Sequence, residues 1–173
     1  MNQLKTFLAT AVVAAILPVA ALADPAAPAD KANGARACNA LKASMGATFA
    51  STYATFGKCV SQWTRAEHQN RHEAEAACKA EQADAGFAAA HDGKSFAQFY
   101  GTGKQGANAL NRCGKAKSSA DSAKELKATT NAARKCKAER ALDAAAFKSK
   151  YGTGEAKANA FGKCVSKLAQ AQQ

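Results

Sequence analysis

The chain has 173 residues, with 24 Lys and Arg against 13 Asp and Glu (net +11) and six cysteines. Alanine dominates its apolar content and large apolar side chains are sparse, so burial at roughly 25 cal/mol per Å² has little area to act on, and a core without staples is excluded. The basic excess is mostly Lys with few interleaved aromatics, which argues against sequence-specific reading of nucleic acid.

Met1 to Ala23 carries Lys5 as its only charge, then an apolar run from Phe7 to Leu22, and ends in Ala21-Leu22-Ala23. This small-x-small ending predicts a signal peptide over residues 1–23, cleaved before Asp24. The run is Ala-rich and broken by Pro18, unlike a membrane span. No second apolar run follows, so no transmembrane segment is expected in the mature chain. Residues 24–34 read as a Pro/Ala linker, because each proline removes a donor and restricts its predecessor. An even number of cysteines in an exported chain reads as a disulfide framework, and places the protein in the periplasm, the cell envelope or outside the cell.

Three diverged copies of one unit follow, over residues 35–66, 67–118 and 119–173. The third is the fullest: Cys136-Lys137-Ala138-Glu139, Phe147, Tyr151-Gly152-Thr153-Gly154 and Asn159-Ala160-Phe161-Gly162-Lys163-Cys164-Val165-Ser166. The second repeats it at Cys78-Lys79-Ala80-Glu81, Phe96, Tyr100-Gly101-Thr102-Gly103, Asn108-Ala109-Leu110 and Cys113, with seven extra residues within Phe87 to Gly93. The first matches at Cys38, Phe49 and Tyr53, lacks the Tyr-Gly-Thr-Gly turn, and resumes at Phe56-Gly57-Lys58-Cys59-Val60-Ser61. Two cysteines per unit predict pairing within each: Cys38 with Cys59, Cys78 with Cys113, Cys136 with Cys164.

A straight helix from Cys38 to Cys59 would hold its ends about 31 Å apart at 1.5 Å per residue, whereas bridged Cα atoms lie within about 7 Å, so each unit must fold back. The turns are expected at Ser44 to Thr48, at Ala90 to Ser95 with Gly101 to Gly103, and at Leu142 to Asp143 with Gly152 to Gly154. The glycine after Tyr100 or Tyr151 suits a left-handed helix end, and Thr153 suits a cap for the next helix. Phe96 with Tyr100, and Phe147 with Tyr151, share a helical face and should pack on the disulfide. Trp63, at helical spacing from Phe56 and Val60, reads as core. Lys58 to Ala85 contains no Gly or Pro before its end and reads as one helix linking the first two units; Ser122 to Ala141 reads as the link into the third. The expected fold is all-α: three disulfide-stapled helical-hairpin repeats joined by helical linkers.

The Cys-Lys-Ala-Glu, Phe-x3-Tyr-Gly-Thr-Gly and Asn-Ala-Phe-Gly-Lys-Cys-Val-Ser strings resemble a repeat of uncharacterised exported proteins from high-GC bacteria. The resemblance implies export and a helical fold, and no activity. The second unit departs from it with Asn111-Arg112-Cys113-Gly114 in place of Phe-Gly-Lys-Cys.

No constellation of residues points to catalysis, and the chain reads as a non-enzymatic structural or binding module without a cofactor. Every cysteine has a repeat partner and none forms Cys-x-x-Cys. The Tyr-Gly-Thr-Gly turns lack phosphate-loop spacing and follow no strand. His68 and His72, at i, i+4 within Glu67-His68-Gln69-Asn70-Arg71-His72-Glu73, give the alternative of a metal-binding protein, although Gln69 stands where a metalloprotease needs Glu. Charge is the bulk property that points outward. From Arg112 to the end, 14 basic residues face five acidic ones (net +9), whereas Asp24 to Asn111 carries nine against eight. Such a field favours an anionic cell-envelope polymer, a lipid surface or an envelope protein as partner. Lys135, Lys137, Lys148 and Lys150 are the expected contact residues, with Lys42 and Lys94 expected to matter less.

Overall fold

The computed structural model describes residues 26–103 and 105–172, and every regular element among them is a helix. The expected signal peptide and the cleavage site before Asp24 lie outside the described residues. In chain order the elements are α1 (Pro28–Met45), a 3-10 turn (Gly46–Thr48), α2 (Phe49–Tyr53), α3 (Phe56–Ala83), α4 (Phe87–Ala90), α5 (Phe96–Tyr100), α6 (Ala109–Leu142), α7 (Ala144–Tyr151) and α8 (Ala160–Gln170). No helix among the described residues is long and apolar enough to cross a membrane.

Local chemistry accounts for most of these boundaries. α1 starts inside the Pro/Ala segment, with Pro28 in the first turn, where its missing N–H costs nothing. Asp30 Oδ2 then accepts the Ala27 N–H at 2.9 Å. Thr55 Oγ1 accepts the Lys58 N–H and opens α3; Ser95 and Gln98 form a reciprocal capping box on α5; Asp143 Oδ1 accepts the N–H groups of Ala145 and Ala146 and opens α7. α4 falls in the seven residues that only the second unit carries. The two long helices hold no proline, and α6 runs unbroken for 34 residues, roughly 51 Å at 1.5 Å per residue.

All three disulfides join the cysteines within each unit, with Cα atoms 5.9, 6.0 and 6.0 Å apart. Each unit therefore doubles back, as the geometric argument requires. Phe49 with Tyr53, Phe96 with Tyr100, and Phe147 with Tyr151 meet as tilted ring pairs with centroids 5.1, 5.0 and 5.0 Å apart. Trp63 is buried.

What the repeat pattern does not convey is how the units associate. Cys78 meets Cys113 while Asn70 meets Ser122, so α3 and α6 run antiparallel along their lengths. Asn33 meets Glu67 and Cys38 meets Cys59, which lays α1 antiparallel on α3. The long hairpin of α3 and α6 returns the third unit to the first. Those two units share one core, in which Leu41, Met45, Phe49 and Trp63 join Phe147, Phe161 and Val165. The second unit keeps a small core of its own, Phe87, Phe96 and Ala109 around the Cys78–Cys113 bridge. The protein thus has a proximal end, where units one and three meet, and a distal end formed by unit two.

Between the two ends lies a polar layer. Buried Glu67 accepts the Ser122 hydroxyl at 2.9 Å and the Asn33 amide at 3.4 Å, and Asn70 donates to both Ser122 and Glu125 at 3.3 Å. Burial, reinforced by the charge of Glu67, pushes the Glu125 carboxyl above its ordinary range. These bonds are satisfied in one register of α1, α3 and α6. Gly34 lets α1 lie close against α3 beside this layer, because a Cβ there would stand 2.8 Å from the Thr64 backbone nitrogen.

Candidate functional site

The repeated motifs act as fasteners within each unit. Glu81 accepts the Tyr100 hydroxyl at 3.0 Å, and Glu139 accepts the Tyr151 hydroxyl at 2.9 Å. Each carboxylate also holds a lysine, Lys117 at 2.8 Å and Lys150 at 2.6 Å, and these cations hold both carboxyls below their usual range. In the first unit Leu41 stands where the others have Glu, and Tyr53 instead accepts the Trp63 indole N–H at 3.4 Å. Burial pushes the Tyr53 phenol up.

The Tyr-Gly-Thr-Gly turns differ from expectation in detail. The first glycine is extended (Gly101 φ −80°, Gly152 φ −77°), and the second takes the left-handed conformation (Gly103 φ 79°, Gly154 φ 73°). The first must still be glycine, since a Cβ on Gly152 would lie 2.5 Å from the Lys157 Cβ. Thr153 does not cap α8. Its N–H donates to Asn159 Oδ1 at 2.9 Å and its hydroxyl accepts Asn159 Nδ2 at 2.6 Å; Thr102 and Asn108 repeat this clasp at 2.9 and 2.8 Å. The asparagine that opens each second helix therefore ties the turn to it. The identical Thr-to-Asn spacing of the two units is the sequence signal for this clasp.

His68 and His72 do share a face of α3, edge to face with ring centroids 4.5 Å apart. His68 Nδ1 lies 2.9 Å from the Arg71 guanidinium and 3.5 Å from the buried Asp30 carboxylate. Arg71 itself pairs with Asp30 at 3.4 Å, so this cluster ties the start of α1 to the middle of α3. Among the described residues no group of three or more His, Cys, Asp or Glu side chains is placed to hold a metal ion.

The four lysines singled out by sequence all lie at the proximal end and are exposed. They do not form one cluster: Lys135 and Lys137 flank the buried Cys136 and so diverge around α6. Lys150 pairs with Glu139 and lies 5.0 Å from the Tyr151 ring centroid. The fold adds cations that sequence order keeps apart. Lys42 sits on α1 beside Leu41 of the shared core, and Lys58, Lys163 and Lys167 sit on α3 and α8 of the same end. Residues 27–63 and 128–172, which build the proximal end, hold 13 Lys and Arg against four Asp and Glu (net +9); residues 64–127 hold ten against eight (net +2). Lys42 is thereby grouped with the basic end, unlike Lys94.

Between α2, α3, α6 and α8, where the first and third units meet, an open cleft of about 430 Å³ is lined by Ser51, Gln62, Thr129, Lys163 and Ser166 among others. Gly162 allows the two units to touch there, since a Cβ would stand 3.2 Å from the Ser51 carbonyl oxygen.

No known protein family, curated protein or solved structure matches the chain.

Proposed function

We propose that this is an exported, non-enzymatic binding module that contacts an anionic cell-envelope polymer through its proximal end. The observation that carries the reading is the charge division: net +9 over the residues that build the end where units one and three join, against +2 over residues 64–127. Solubility alone requires no such polarity. The three disulfides suit an oxidising compartment outside the cytoplasm. The Glu–Tyr pairs and Thr–Asn clasps are engaged in holding the fold, which leaves the exposed lysines as the groups that face outward.

The test is binding of the mature chain to inorganic polyphosphate, a plain anionic polymer, at low and physiological salt. The triple variant Lys42→Gln, Lys135→Gln, Lys148→Gln should bind roughly ten-fold more weakly at low salt, each exposed charge contributing about 0.5 kcal/mol. The distal triple Lys79→Gln, Lys94→Gln, Lys115→Gln should bind nearly as the parent does. Affinity should fall steeply between 0.01 M and 0.15 M salt, as the Debye length shrinks from about 30 to about 8 Å. Equal losses in the two triples would overturn the assignment.

A further inference from the structure

We infer that the cleft between units one and three is a saccharide subsite, and that the anionic polymer is an acidic glycan with one carboxylate-bearing sugar seated there. The inference rests on the proposed polyanion contact and specifies its ligand. At about 430 Å³ the cleft lies within the roughly 300 to 1,000 Å³ typical of small-molecule sites. Its walls mix hydroxyl and amide groups with apolar surface from Tyr53, Val165 and Ala169, a combination that suits the polar edges and C–H faces of a sugar ring.

The strongest pointer is Thr129 on α6. It is only 9 % exposed, lines the cleft, and makes no hydrogen bond among the described residues, whereas its neighbour Thr130 donates to the Leu126 carbonyl at 2.8 Å. Its hydroxyl is left to the open side of the cleft, where water or a ligand group can serve as its partner. Around it, Ser51 on α2, Gln62 on α3 and Ser166 on α8 are exposed and likewise have no hydrogen-bond partner among the described residues. Three helices and the short α2 thus converge four neutral donor–acceptor groups on one space. A ligand rich in hydroxyls matches that set, and an apolar ligand does not.

Lys163 is the single charge on the cleft wall. It fixes the sign of the ligand's charged group, and one ammonium beside neutral donors fits a single carboxylate better than the dense charge of a polyphosphate. The cleft opens within the basic end, so a glycan seated by one sugar would run its remaining carboxylates over the lysines around it. The subsite comes from the joining of two units: Ser51 and Gln62 belong to the first, and Thr129, Lys163 and Ser166 to the third.

The test compares the mature chain's affinity for an oligogalacturonate, an uncharged oligosaccharide of equal length, and polyphosphate. Thr129→Val keeps the side-chain shape and Ser166→Ala alters an exposed position, so both variants should fold, as thermal melting would verify. Each should weaken oligogalacturonate binding about three- to ten-fold, the usual worth of one lost hydrogen bond, and leave polyphosphate binding unchanged. The uncharged oligosaccharide should bind more weakly than the oligogalacturonate, and Lys163→Gln should narrow that difference without removing it. Oligogalacturonate binding untouched by both Thr129→Val and Ser166→Ala, with polyphosphate binding intact, would overturn the subsite alone. Failure of every polyanion to bind, or equal losses in the proximal and distal lysine triples, would instead overturn the reading on which it rests.

Discussion

The two ends of the protein should differ in how much they owe to their disulfides, and replacing Cys78 and Cys113 by Ser tests this. That bridge spans 35 positions, and closing such a loop restricts the unfolded chain by about 4 kcal/mol. The distal core it serves has five buried residues, two of them the bridged cysteines, against eighteen in the shared core. Its large contributors are Phe87 and Phe96, 4 % and 7 % exposed, each worth about 1.5–3 kcal/mol of burial. The staple therefore supplies about as much as both rings together, and without it residues 84–108 should open while the proximal helices stay folded. Hydrogen exchange read by mass spectrometry should show protection lost from 84–108 and kept over 128–165. Uniform loss along the chain, or undiminished protection at 84–108, would refute the reasoning.

Two helical glycines should respond in opposite senses. Gly34→Ala would drive a methyl against the Thr64 backbone and should cost about 1–3 kcal/mol, whereas Gly57→Ala meets nothing within 4 Å inside helix α3 and should gain about 0.4–1 kcal/mol, both read from chemical melts. Glu125 has a carboxyl held above its unfolded value, so the folded state binds its proton more tightly and loses stability as pH rises through that raised pKa. Glu125→Gln should therefore raise the melting temperature at neutral pH, and the gain should vanish below the ordinary carboxylate pKa; a gain that persists at acid pH would contradict the burial argument.

Much of this was legible from the cysteines and turns. Repeat arithmetic gave the three pairings, and the absence of helix breakers before Ala85 anticipated α3, which ends at Ala83. The helix before the third unit proved longer than the Ser122 to Ala141 stretch, because α6 begins at Ala109 and absorbs the second half of unit two. Turn chemistry was legible as to place and not as to conformation. Glycine is required at Gly152 by crowding and at Gly154 by a positive φ, and composition does not separate the two causes. The cleft was not legible, because Ser51 and Ser166 are unremarkable exposed serines until α8 lies against α2.

The departures of each unit from the common pattern explain why the first and third associate and the second stands apart. Counting from the second cysteine of each unit, Gly162 and Val165 in the third correspond to Asn111 and Gly114 in the second. Gly162 lets α8 rest on the backbone of α2, and Val165, 2 % exposed, enters the shared core. Gly114 instead faces α3, where a Cβ would sit 3.7 Å from the Glu75 side chain, so the same face of the repeat packs against the long helix. With that face occupied, unit two covers its own aromatic pair by inserting Phe87, whose ring lies 5.4 Å from that of Phe96. Units one and three lack the insertion and bury Phe49, Tyr53, Trp63, Phe147, Tyr151 and Phe161 in one joint core. The two units with the larger basic excess are thereby held at one end, and the +9 that sequence order assigns to the last 62 residues becomes a property of a surface built from both termini of the fold.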